Sequence, residues 1–297
     1  MEYIILDLEW NAAYSRRRGG FINEIIEFGA VKADENLQVL DTFSALVRPQ
    51  VGKKISGKVR SLTNITNEEL VGGMPFMQVV SRFRRWAGQA VILTWGTSDI
   101  LTLIENSLYF SNSEKIPFLH RYVDLQVYCQ DRMGETGGQQ MGLSTAAEKL
   151  GIDESEFAHH RALDDSLLSL ACLRRVWVPG SAPGSMASYI QNADRQEFYD
   201  RMRFKTTIIT DLQHPLIRRR DLMFRCEECG GVARRMERWQ LHNKTFRARF
   251  FCRRCQKEFL GRVQFKLKYE GMTVKKKVVP LPPPEEAAKE EQPAALS

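Results

Sequence analysis

The chain has 297 residues, 43% of them hydrophobic and 27% charged, which suits one full globular domain with a smaller module attached. No stretch approaches a membrane span, and Met1-Glu2-Tyr3 leads into an apolar run without the basic head of a signal peptide, so a cytoplasmic protein with no membrane partner is expected. The net charge of +7 is uneven: residues 1–200 carry 20 Lys/Arg against 25 Asp/Glu, residues 201–277 carry 22 against 7, and residues 278–297 carry 1 against 4. A slightly acidic body joined to a strongly basic module points to an anionic polymer as partner, nucleic acid above all.

The first element, Ile4-Ile5-Leu6-Asp7-Leu8-Glu9-Trp10, reads as a buried central strand. Residues two apart on a strand share a face, so Asp7 and Glu9 point to one place. Two ionised carboxylates crowded there repel each other and are costly to desolvate, and a bound divalent cation removes both penalties. A solvated strand edge accounts for these two residues equally well. Arg16-Arg17-Arg18, in the loop that follows, either contacts phosphates or is merely solvated. Phe21 to Val31 and Leu37 to Val47 read as a hairpin, ended by Pro49. Thr66 with Glu69 has the form of a capping box at a helix start.

Phe76 to Ala87 has helical spacing, with Phe76, Val79, Val80, Phe83 and Trp86 on a core-facing stripe. Ala90 to Trp95 is a short buried strand, and Asp99 follows it at a helix start, where it could be an ordinary N-cap. His120 to Cys129 reads as strand or helix without a way to choose. Leu143 to Leu150 is a helix closed by Gly151, and a second, amphipathic helix runs to Val176 after Phe157-Ala158-His159-His160-Arg161-Ala162-Leu163-Asp164-Asp165. This order predicts an α/β domain over 1–180, a linker with a bridging helix over 181–216, a basic module over 217–278 and a disordered Pro/Glu/Ala-rich tail over 279–297.

Asp7, Glu9, Asp99, His160 and Asp165, in this order, resemble the DEDDh family of 3′–5′ exonucleases. That family carries Asp-x-Glu, then an Asp after a strand, then His-x-x-x-x-Asp. His159 and Asp164 have the same spacing, but the fuller form His-x-Ala-x-x-Asp places its alanine at Ala162 and so selects His160 and Asp165. Glu24-Ile25-Ile26-Glu27-Phe28-Gly29-Ala30-Val31, Val47-Arg48-Pro49, Leu62-Thr63-Asn64-Ile65-Thr66 and Thr94-Trp95-Gly96-Thr97-Ser98-Asp99 are closest to the RNA-directed histone-mRNA-type and KapD-like branch.

The resemblance covers roughly residues 1–177. It implies an RNase H-like mixed sheet flanked by helices. It also implies two Mg²⁺ or Mn²⁺ ions held by Asp7, Glu9, Asp99 and Asp165, with Asp7 bridging them, and His160 as the base that takes a proton from the attacking water. An apolar wedge near Leu62 and stacking on an aromatic such as Trp10 are implied for substrate binding, core packing being an equal reading for both.

The six cysteines fall as Cys226-x-x-Cys229, Cys252-x-x-Cys255, Cys129 and Cys172, which is not a secreted disulfide layout. The two CxxC pairs predict a β-rich zinc ribbon with one structural Zn²⁺, and Cys129 and Cys172 read as buried thiols. Thr245 to Phe251 alternates aromatic and basic residues, a pattern suited to single-stranded nucleic acid. Taken together, the expected function is a metal-dependent 3′–5′ exonuclease on single-stranded RNA. DNA trimming and an inert nucleic-acid-binding adaptor are the alternatives.

Overall fold

The computed structural model describes residues 1–135, 140–157, 161–180 and 183–281. The chain divides into two compact units, Met1–Arg203 and Phe204–Ser297. In the first, β1 (Tyr3–Ser15) and β2 (Gly20–Ala33) make a long antiparallel hairpin, and β3 (Val39–Leu46) pairs with β2. Three helices follow, α1 (Gly57–Thr63), α2 (Asn67–Val71) and α3 (Phe76–Ala87). The expected capping box is present, with Glu69 N–H donating to Thr66 Oγ1 and Thr66 N–H to Glu69 Oε2.

Then come β4 (Val91–Thr94), α4 (Ser98–Ser111), β5 (Arg121–Asp124), α5 (Leu125–Arg132), α6 (Leu143–Lys149), α7 (Ala162–Val176), β6 (Gln191–Asn192) and α8 (Gln196–Arg203). The unsettled stretch His120 to Cys129 is thus strand and helix in succession. Asp124 ends β5 and caps α5 by accepting from Val127 N–H at 3.1 Å.

The sheet runs β3-β2-β1-β4-β5-β6, with β4 and β5 parallel to β1 and the other pairings antiparallel. It is buried on both faces, because successive side chains of β1 enter opposite layers. Ile4, Leu6 and Leu8 join Phe28, Phe83 and Ile100 in the layer under α3, α4 and α8. Tyr3 and Ile5 join Val123, Tyr128, Leu170 and Leu173 in the layer under α5 and α7.

The first unit extends past the expected boundary at 180. Phe198 and Tyr199 of α8 sit in its core, Tyr199 OH accepts from Ile116 N–H at 3.1 Å, and β6 closes the sheet edge. The segment 186–203 is therefore part of this unit, because it buries aromatic side chains there. The stretch 181–216 is expected to hold a linker with a bridging helix, and α8 (Gln196–Arg203) is the helix found there.

In the second unit β7 (Thr207–Ile209), β8 (Arg234–Arg235), β9 (Gln240–His242), β10 (Thr245–Cys252), β11 (Lys257–Lys268) and β12 (Gly271–Val279) form one antiparallel sheet. Phe246, Phe250, Phe259, Val263 and Phe265 pack with Phe224 and Ile209 on one face. The β-rich module is as expected, and β12 reaches Val279. The expected disordered tail from 282 onward lies outside the described residues.

One close approach sets the position of α7. Gly29 lies opposite Asp7 in the β1–β2 register, and a Cβ on it would stand 2.0 Å from the backbone of Ala162 and Leu163. Neither atom belongs to a side chain that could swing away. Gly29→Ala should therefore lift α7 from the sheet and cost about 3 kcal/mol or more in urea unfolding. A loss under about 1 kcal/mol would show that the helix is not seated by this contact.

Candidate active site

The acids collect where β1 outruns its parallel neighbour. Pairing with β4 stops at Ile5–Leu93, so the next stretch of β1 has a free edge on that side. Its backbone donors need other partners. Asp99, in the first turn of α4, supplies one: its Oδ1 accepts from Leu8 N–H at 3.1 Å. Thr97 is the N-cap residue, so the ordinary capping role open to Asp99 is not the one it has.

Asp7 and Glu9 continue the face of Tyr3 and Ile5, which is the face covered by α7. Asp165, in the first turn of α7, reaches the same point, and carboxylate oxygens of Asp7, Glu9 and Asp165 lie within 4.8 Å of one another. Asp99 is 4% exposed and adjoins this group without belonging to the same 4.8 Å cluster. Four carboxyls in this space shift one another. Burial first, then the charges of Asp99, Asp165, Glu9 and Glu27, hold Asp7 well above the usual carboxylate range. Burial, followed by Asp165 and Glu27, pushes Glu9 up to about 8. Burial pushes Asp99 up to about 7 against the hydrogen bonds it accepts from its own N–H and from Leu8.

Two residues that the motif alone did not single out fasten α7 to the sheet. Glu27, opposite Glu9 and 2% exposed, receives Arg161 Nη2 at 2.7 Å, Arg161 Nε at 3.2 Å and the N–H of Ala162 at 3.1 Å. The Glu27 hydrogen bonds hold the Arg161 guanidinium all the more firmly protonated. Ser166 Oγ adds a hydrogen bond to the Gly29 carbonyl at 3.0 Å. The signal for Glu27 was available: a lone acid inside Ile25-Ile26-Glu27-Phe28 needs a buried partner. His160, expected as the general base, and its neighbour His159 lie outside the described residues.

Leu62 is 46% exposed on α1. Trp10 is half-buried and packs against the core layer with Ile4 and Leu8, on the other face of β1 from the acids. The loop leading to α1 is anchored by Glu24, whose carboxylate accepts from Val51 N–H and Gly52 N–H at 2.8 Å each, and by Asn11, which accepts from Ser56 N–H at 2.9 Å. Of the three arginines after β1, Arg17 donates to the Tyr109 carbonyl and to Asn112, and Arg18 pairs with Glu105.

In the second unit Sγ of Cys226 and Cys255 are 3.8 Å apart, those of Cys229 and Cys252 are 3.5 Å apart, and all four lie within 4.8 Å. Bonds of ~2.3 Å to a tetrahedral zinc ion would set sulfurs ~3.8 Å apart. The turn after Cys229 uses the positive φ of Gly230 (68°), and Gly230 N–H donates to the Cys226 carbonyl at 2.9 Å. Cys129 and Cys172 are buried thiols, as expected.

The profile of the RNase_T family, described as exonuclease, matches residues 4–173. The chain belongs to this exonuclease family. The Bacillus subtilis (strain 168) protein "Probable 3'-5' exonuclease KapD" is 31% identical over 178 residues, 58% of this chain and 83% of that protein. Human 3'-5' exoribonuclease 1 is 28% identical over 155 residues, 49% of this chain and less than half (44%) of that protein. The crystal structure of the nuclease domain of 3'hExo, a DEDDh family member, bound to rAMP, superposes with a TM-score of 0.50 at 26% identity, covering 59% of this chain and 90% of that one. The chain is accordingly a 3′–5′ exonuclease of the DEDDh type, a hydrolase with the expected RNase H-like fold. The family match ends before the second unit.

The raised carboxyl values carry a sign. A carboxyl that ionises later in the folded chain than in the unfolded one favours folding at low pH. For Glu9 that advantage is complete below about 4.5 and drains away as pH climbs through about 8. In chelator-treated protein, thermal stability relative to Glu9→Gln should fall across that window, and added Mg²⁺ should reverse the fall. A constant difference between the two proteins would mean that Glu9 is not crowded in the way described.

Proposed function

We propose that the chain trims single-stranded RNA from its 3′ end, releasing nucleoside 5′-monophosphates with the help of two Mg²⁺ or Mn²⁺ ions. The observation that carries this reading is the cluster of Asp7, Glu9 and Asp165 beside Asp99. It is a set of hard oxygen donors that is costly to ionise without cations and suited to holding them. When bound, such ions neutralise charge on the attacking and leaving oxygens of a phosphodiester. Asp7, Glu9, Asp99 and Asp165 are the residues to hold them. Arg161, fixed on Glu27, keeps α7 and hence Asp165 facing Asp7.

His160, next in the chain to Arg161, takes the proton from the attacking water, a role suited to a side chain titrating near neutrality. Leu62, exposed on α1, is the residue to press against the terminal base, and Trp10 borders the same strand end. The preference for RNA rests on the relatives: human exoribonuclease 1 acts on RNA by its name, and the 3'hExo domain was crystallised with rAMP. The four cysteines of the second unit hold one structural Zn²⁺, and that unit helps to hold the strand. No helix among the described residues is long and apolar enough to cross a membrane, and we place the protein in the cytoplasm.

Matched 5′-labelled RNA and DNA oligonucleotides should give a ladder receding from the 3′ end in Mg²⁺ or Mn²⁺, faster for RNA. Asp7→Ala and His160→Ala should lower the rate by at least about 10²-fold, with strand binding kept by Asp7→Ala. Equal trimming by Asp7→Ala would end the metal assignment, and a faster DNA ladder would favour the trimming of DNA. Metal analysis should find one zinc per chain, lost in Cys226→Ser/Cys229→Ser together with the folded state of the second unit alone. Protein free of zinc yet fully folded would exclude the ribbon.

A further inference from the structure

The second unit's sheet is apolar on one face and cationic on the other. Along β10, Phe246, Ala248 and Phe250 point inward, and so do Phe259, Val263 and Phe265 of β11. Phe246 and Phe250, which alternate with the arginines, are therefore core residues, while Phe251 stays half-buried on the outer face. What the alternation leaves outside is charge: Arg247 on β10, Arg262 and Lys266 on β11, Lys275 and Lys277 on β12, and Arg234 on β8. Glu258 is the only acid in β10, β11 and β12.

These charges are aligned. Arg247 lies directly opposite Arg262, and Arg262 directly opposite Lys277, so three cations form a row across three adjacent strands. Neighbouring strands are about 4.8 Å apart, and like charges placed opposite one another destabilise a sheet. Arg249, on the same face of β10, donates from Nε to Glu237 Oε2 at 2.9 Å. A shallow hollow of about 210 Å³ lined by His242, Asn243, Thr245, Arg247 and Arg262 opens beside the row.

We infer that the outer face of β10–β12, through Arg262, Lys275 and Lys277, binds the phosphate backbone of the strand that the nuclease unit trims. It reads charge and not bases, because Phe246, Phe250, Phe259 and Phe265 are buried in the module's core and, of the aromatic residues of β10–β12, only half-buried Phe251 lies on this face. This rests on the nuclease reading only for the identity of the strand. Tethering a phosphate-binding face to the nuclease unit raises the local concentration of strand ends at that unit and requires no base preference of its own.

The test uses the full chain with Asp7→Ala, so that nothing is cut while binding is measured. Fluorescence anisotropy with labelled 20-nucleotide rU, rA and dT homopolymers, across a salt series, compares this protein with one also carrying Arg262→Gln, Lys275→Gln and Lys277→Gln. The triple change should weaken binding about ten- to a hundredfold, alike for all three polymers. It should also flatten the plot of log affinity against log salt by about 2, since each single-strand phosphate contact contributes about 0.7.

A charge-keeping triple, Arg262→Lys with Lys275→Arg and Lys277→Arg, should bind like the parent. The neutral triple should melt no lower than the parent at low salt, since it relieves repulsion. An unchanged salt slope, a loss confined to one base, an equal loss in the charge-keeping triple, or tighter binding of a poly-glutamate peptide than of the oligonucleotides would each overturn the inference. The last would favour an acidic protein as partner. Because binding is read without cleavage, absence of nuclease activity in the wild-type chain would defeat the functional reading and leave this result intact.

Discussion

The structure of the first unit turns on holding four carboxyl groups together at the end of β1. Crowding them raises the cost of ionising each, as the upward shifts of Asp7, Glu9 and Asp99 show, and the fold must carry that cost through other contacts. It does so at the carboxyl ends of parallel strands, where open α/β sheets leave a crevice. β1 continues past β4, Asp99 takes up the backbone donor freed by that mismatch, and the apolar layers on both faces keep the strand from shifting register. A one-residue slip would turn Asp7 and Glu9 into the layer of Phe28 and Phe83.

The placement of α7 is the other half of this constraint. Asp165 comes from a helix more than 150 residues further along the chain, and like charges on β1 push it away. Three contacts oppose that push. Gly29 lets the helix backbone lie against the sheet opposite Asp7, Glu27 binds both the Arg161 side chain and the first N–H of the helix, and Ser166 bonds the Gly29 carbonyl. Glu27 is itself another negative charge near the site. It is tolerable because Arg161 neutralises it with a two-pronged, charge-assisted contact, which is worth more than a single hydrogen bond and fixes the direction of approach.

Local pattern was enough to recover the hairpin, the capping box at Thr66, the helix from Phe76 to Ala87 and the family. What it did not recover is non-local. Arg161 and Glu27 are 134 residues apart, and nothing in the spacing of either motif states that they meet. The first unit's true end at Arg203 depends on two aromatic residues finding a core built from earlier strands, which a Pro/Gly-rich stretch at 179–185 disguises as a boundary. The strand-to-helix passage at Asp124 was unreadable for a local reason: it has no glycine or proline to mark it, and the acid that caps α5 also closes β5.

In the second unit the period-2 alternation of β10 is present, but alternation alone does not say which of its two residue types faces water. Phe246 and Phe250 take the interior because burying their rings removes more apolar surface from water than any other residue of the strand could. The arginines are then forced outward into register with those of β11. The cationic row is thus a consequence of core formation in a strand whose large side chains are all aromatic or basic. Core formation explains where Arg247 and Arg262 sit; it does not explain Lys275 and Lys277. Each lies between neighbours on a strand whose outward positions could be neutral at no cost to the core. Lys277, directly opposite Arg262, adds repulsion to the sheet, and a polyanionic ligand would offset that repulsion.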